Sequence, residues 1–187
     1  VDPRESLIPP ETLPDLLAPG LRLISVGLNP SPASVAAQVY FAHPRNRFWP
    51  MLNASGLIDE TLSPSPDSMR RLFEAHRIGF TDLVKRSTPG VAQLRAADYR
   101  AGASALRMRL HGLAPRAIWF QGRTPWSQYL RYTSGEAPAA VWGLQSQTLD
   151  GVPVWVTPNP SPANAAFPLD VLTAQLASLA NWLARRP

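Results

Sequence analysis

LRLISVGLNPSPA, residues 21–33, and VPVWVTPNPSPA, residues 152–163, end alike. Each opens as a short apolar run and closes on Asn-Pro-Ser-Pro-Ala. The apolar parts are too short for helices and rich in β-branched and aromatic residues, which predicts buried strands over Leu21–Leu28 and Val152–Thr157. Ile78–Val84 and Ala117–Gln121 read the same way. Helical patterns lie between them. One spans 45–56, and one in SPDSMRRLFEAHR is capped by Ser65 or Asp67. A longer one in AADYRAGASALRMRLHGLAP stops at Gly112 or Pro115, and TPWSQYLRYTS opens on Thr-Pro. PLDVLTAQLASLANWLARR repeats leucine at helical spacing and ends in two arginines. Strands alternating with helices predict an α/β fold with a mostly parallel sheet covered on both faces.

In such sheets ligands bind beyond the C-terminal ends of the strands, where both pentapeptides lie. Proline holds the residue before it extended, so each Asn-Pro pair fixes an asparagine at a strand exit. The amide there offers an acceptor and two donors. Two readings stay open at this point: the loops line one site that grips a polar, planar ligand, or they are separate proline-rich turns.

Composition narrows the function. At 187 residues with 45% hydrophobic content the chain reads as one globular domain over 21–187. The first twenty residues, with five prolines, read as a loose N-terminal arm, 1–20. No apolar stretch approaches membrane-spanning length, and the N-terminus lacks the basic start and apolar run of a signal peptide, so a soluble, cytoplasmic, bacterial-type protein is expected. Absent cysteine removes disulfides, thiol nucleophiles and cysteine metal sites. His43, His76 and His111 stand at no metal-ligand spacing, so no metal is expected. The net charge of +5 is almost wholly arginine, Lys85 being the sole lysine. Arginine suits phosphates and base edges, which favours a nucleic-acid partner; the alternative is arginine replacing lysine across a GC-rich proteome. No G-x-G-x-x-G, G-x-x-x-x-G-K-[ST] or G-x-S-x-G occurs, so dinucleotide, P-loop and α/β-hydrolase chemistry lack their motifs.

VGLNPSPASVAAQVYFAHPRNRFWPMLNASGL, residues 26–57, carries a resemblance. Gly27-Leu28-Asn29-Pro30, then Phe41-Ala42-His43-Pro44, then Asn46-Arg47-Phe48-Trp49 resemble, in order and spacing, the mismatch-specific uracil-DNA glycosylase and thymine-DNA glycosylase family. LLAPGLRLISVG, IGFTDLVKRSTPGVAQL and VTPNPSPANAAFP look like that family's lead-in, middle segment and second motif, so the similarity runs from about residue 16 to the C-terminus. It implies a three-layer α/β/α sandwich around a four-stranded sheet. It also implies hydrolysis of the bond between deoxyribose and uracil, or a related base, in double-stranded DNA, without metal or organic cofactor. Asn29 falls on the asparagine that positions the attacking water, Phe41 on the aromatic that stacks on the extruded base, and Ser34 on a position that senses a 5-methyl group. Asn159 falls near sugar and base. Pro162, Ala163 and Asn164 fall on the wedge that fills the gap left in the duplex.

Chemistry adds to this. An amide cannot act as a base, so Asn29 can only orient water, and a nearby carboxylate would help. Asp82, at the end of the second strand on the same rim, is the candidate from its placement; the other reading is a turn-capping aspartate paired with Lys85 or Arg86. Backbone N–H groups from Leu28 to Ala33 are expected to meet the charge developing on the base. Phe41 is read as a stacking face, against a core aromatic. For DNA contact the candidates are Arg47, Lys85, Arg86, Ser161 and Arg123, against ordinary solvated surface charges; Trp126 and Trp142 read as packing residues. Two departures from the family stand out. Ser31 replaces a glycine, and Ala163 makes a small wedge, which predicts loose demand for the opposing base. The partner expected is duplex DNA with uracil or a mismatched or damaged pyrimidine, bound by a monomer. Competing readings are a DNA- or nucleotide-binding module of the same fold with weakened catalysis, and a small hydrolase of another nucleoside.

Overall fold

The computed structural model describes residues 11–136 and 141–186. Five strands form one sheet in the order β2-β1-β3-β5-β4. They are β1 Leu23–Gly27, β2 Ile78–Asp82, β3 Ile118–Gln121, β4 Gly143–Leu149 and β5 Val152–Thr157. The first four neighbours run parallel, and β4 lies antiparallel on β5. The four expected strands are all present, within two residues at each end. The sheet has five strands rather than four because GLQSQTL, too polar to read as a strand, forms an exposed edge on which only Gln145 and Leu149 are buried.

Among the described residues six α-helices cover the sheet: α1 Pro32–Ala37, α2 Phe48–Ala54, α3 Pro66–Glu74, α4 Ala96–Leu110, α5 Arg123–Thr133 and α6 Leu169–Ala184. Period-two alternation sends Leu23, Trp119 and Trp155 to one face, against α2, α3 and α6. Ile24, Val26, Ile118, Phe120, Val154 and Val156 go to the other, against α4 and α5. Three layers result, as expected. Among the described residues no helix is long and apolar enough to cross a membrane.

Helix ends follow local chemistry. Ser65 caps α3 by accepting from the Ser68 N–H, and Ser31 caps α1 by accepting from the Ser34 N–H. α1 was not foreseen, because Asn-Pro-Ser-Pro reads as loop, yet Pro32 sits in the first turn, where its missing N–H costs nothing.

Residues 1–10 of the expected arm lie outside the described residues. Residues 12–16 are not loose. Leu13 is buried, Leu16 exchanges backbone hydrogen bonds with Phe80 on β2, and Thr12 donates to the Lys85 carbonyl. Asp15 accepts from Thr81, Lys85 and Arg109. Proline content misled here: Pro14 lies within a segment held by these bonds, its carbonyl accepting from the Tyr40 hydroxyl.

Candidate active site

The parallel register aligns the strand ends. Gly27 stands opposite Asp82 across β1 and β2, and Gln121 opposite Thr157 across β3 and β5. Asn29 and Asn159 each follow two residues beyond their strand. Only β3 separates β1 from β5, so the two exits stand about 10 Å apart. The twin pentapeptides therefore converge. A cavity of about 200 Å³ opens between them, lined by Leu28, Asn29, Ser31, Ser34, Phe41, Asp82, Asn159, Ser161 and Ala163 among others.

The two asparagines present opposite groups. Asn29 Nδ2 donates to Thr88 Oγ1 at 2.8 Å and to the Arg86 carbonyl at 3.1 Å. Thr88 gives its own hydroxyl proton to the Gly90 carbonyl, so its oxygen can only accept from Asn29. These partners fix the amide and leave Asn29 Oδ1 available as an acceptor. Asn159 is tied at the other end. Its Oδ1 accepts from the Ser161 N–H at 2.7 Å, which leaves the amide N–H groups as the offered donors. One sequence pentapeptide, used twice, supplies an acceptor on one side and donors on the other.

Asp82 is 4% exposed. Its Oδ2 is buried without a hydrogen-bond partner among the described residues. Its Oδ1 lies over Gly27, close enough that a Cβ there would stand 2.3 Å away, so Gly27 is needed for close approach. Burial pushes the carboxyl up to about 7, opposed by Lys85, helped by Asp15 and opposed by Arg109. Arg109 also donates to the Asp82 carbonyl oxygen at 2.8 Å. The alternative of Asp82 ion-paired to Lys85 or Arg86 does not hold: Lys85 pairs with Asp15 at 2.7 Å, and Arg86 grips Asp98 through two bonds.

Phe41 has φ of 58°, a strained region for an aromatic residue. One face stacks on Phe48, with ring centres 4.1 Å apart and planes at 18°. The ring is half-buried and lines the cavity. Ser34 is buried, with its hydroxyl bonded to Ser31.

The basic candidates divide. Arg47 does not face outward: its guanidinium donates to the carbonyls of Pro160, Ser161, Asn164 and Phe167, clamping the second loop from behind. Lys85 is taken up by Asp15 and the Arg86 guanidinium by Asp98 in a surface pair, and that pair with the Arg95 N–H holds Asp98 down to about 2. Arg86 reaches the site through its carbonyl instead. Arg123 stays exposed on the rim at the start of α5. In the segment expected to form the wedge, Ala163 is exposed, and Asn164 turns its amide back to the Asn159 carbonyl; Pro162 does not line the cavity.

Sequence reasoning missed Thr88 and the pocket wall from Leu13. Thr-Pro-Gly, six residues after the end of β2, was the available signal for Thr88. Asp59, Glu60 and His76 bring ligand-type atoms within 4.8 Å of one another. None of them lines the cavity, and Arg71 already bonds Glu60.

A sequence profile of the Uracil DNA glycosylase superfamily matches residues 14–180. The solution NMR structure of a Methanosarcina acetivorans protein described as a "putative Uracil DNA glycosylase" is similar with a TM-score of 0.59 and 21% identity, covering 94% of this chain and 98% of that one. At that identity the structural likeness speaks to the fold. The profile match takes in the whole sheet, both asparagine loops and the aromatic between them, and on that extent the chain belongs to the uracil DNA glycosylase superfamily.

Proposed function

We propose that the protein is a monofunctional DNA glycosylase that hydrolyses the N-glycosidic bond of uracil in DNA, opposite guanine and in other contexts, and leaves an abasic site. The observation that carries this reading is the pairing, over one cavity, of a fixed amide acceptor at Asn29 with an unpartnered carboxyl oxygen at Asp82. The target nucleotide rotates out of the duplex at a cost of a few kcal/mol, less when mispaired. Its base enters the cavity and lies against the free face of Phe41. Asn29 Oδ1 accepts a hydrogen bond from the attacking water and sets its direction. Asp82, with a pKa near the working pH, takes a proton from that water as it attacks C1′. The bond from C1′ to the base breaks, and the base leaves with the electron pair. Asn159 N–H groups and the Ser34 hydroxyl are placed to meet the polar edge of the base. Lys85, the sole lysine, is held by Asp15, which supports water rather than an amine as nucleophile.

The test is alkaline cleavage of uracil-containing oligonucleotides after incubation with the protein, with uracil opposite guanine, opposite adenine and in single strands. The small Ala163 wedge predicts release in all three. Asn29→Ala and Asp82→Asn should each abolish it. Absence of release in every context would overturn the proposal, and a strict demand for guanine would overturn the loose-wedge part.

A further inference from the structure

We infer that Arg123 is a prebuilt contact for a backbone phosphate of the DNA strand, with Trp142 as the pedestal that holds it; this rests on the glycosylase reading above. Arg123 follows Gly122, whose position is so close to the second asparagine that a Cβ there would stand 3.6 Å from that of Asn159. The arginine thus leaves the rim directly beside the site. Its guanidinium carbon lies 4.0 Å from the centre of the Trp142 ring. Trp142 meets Phe167 edge-on, with ring centres 5.3 Å apart and planes at 83°. Phe167 belongs to the second loop, where its carbonyl accepts from Arg47. A continuous chain of contacts therefore joins Arg123 to the loop that carries Asn159.

The chemistry of that arrangement favours a phosphate. A guanidinium lying over an indole uses its face for the ring and keeps its in-plane N–H donors for an oxyanion. Resting on Trp142, it loses less side-chain freedom when a ligand arrives. Arg47, Lys85 and Arg86 are each bonded to acceptors of the protein itself, whereas no carboxylate pairs with Arg123 among the described residues. Ala163 offers little surface to hold the duplex, so the strand needs another anchor on this rim. The packing reading of Trp142 holds, since it packs against the core on the α4–α5 face; its ring also lies between a cation and an aromatic edge, which makes it a support rather than a base-stacking face.

The test measures binding of a uracil-containing duplex across a salt series, in the Asp82→Asn background so that substrate persists. Arg123→Gln and Arg123→Ala should each reduce the steepness of log K against log salt by about 0.9, the loss of one phosphate contact. Affinity at low salt should fall about tenfold. Trp142→Ala keeps the charge, so the slope should stay while affinity drops a few-fold, and Trp142→Phe should recover most of it. An unchanged slope in both arginine variants would overturn the assignment while leaving the glycosylase reading standing. A salt-independent parent protein would instead remove the DNA reading itself. Full affinity in Trp142→Ala would overturn the pedestal.

Discussion

Asp82→Asn should alter stability and catalysis in opposite directions, with a pH signature that only a buried, raised carboxyl produces. In the unfolded chain the aspartate ionises near its ordinary value of 3.8; in the folded protein burial pushes it up to about 7. Between those values the unfolded state has lost the proton and the folded state retains it. Folding is therefore favoured least where the carboxyl must ionise while buried: stability falls as pH rises from about 4 to 7 and levels off above that. The gap between 3.8 and about 7 corresponds to about 4 kcal/mol at most. Asparagine carries no such penalty. Any difference in cost between an unpartnered amide and an unpartnered acid is an offset that does not vary with pH. Urea unfolding of both proteins from pH 4 to pH 9 reads the difference. The stability of the variant relative to wild type should grow by up to about 4 kcal/mol across the window, then stop changing. Single-turnover uracil release by the wild type should climb as pH rises toward 7 and flatten beyond it, the ionised form being the active one. Parallel stability curves for the two proteins would refute the reasoning, because they would mean that Asp82 ionises as easily in its fold as in water.

Three further outcomes follow from the geometry. Thr88→Val removes the acceptor that orients Asn29, and should lower single-turnover release by roughly tenfold or more while Thr88→Ser retains it. Gly27→Ala places a Cβ 2.3 Å from Asp82 Oδ1, so the carboxylate must move; release should fall by about a hundredfold or the folded yield should collapse, and either is visible beside wild type in one assay with circular dichroism. Arg47→Ala takes the guanidinium from four loop carbonyls, of which Pro160 and Ser161 keep a backbone N–H donor while those of Asn164 and Phe167 lose it, and thermal unfolding should report a loss of about 2–4 kcal/mol.

Much of this was readable because the buried strands are short, apolar on both faces and end at the site. Asn29, Asp82 and Asn159 lie at or within two residues of strand ends, so their convergence followed once the sheet was taken as parallel. What escaped depended on distant partners. Nothing local in NRFWP says that Arg47 turns inward to carbonyls up to 120 residues away. Asp15 and Lys85 stand 70 residues apart and meet only because the leading segment pairs with β2. β4 was missed because an exposed edge strand has little reason to be apolar. Thr88 was passed over because its function is to restrain another side chain, 59 positions earlier.

The clamp from Arg47 makes the aromatic shelf and the wedge loop a single mechanical unit. The residue after that arginine is Phe48, on which Phe41 rests, while its guanidinium grips the loop that carries Asn159. In the proposed reaction a nucleotide swinging outward would press against two surfaces braced through one side chain, and a displacement of the loop would be felt at Phe41.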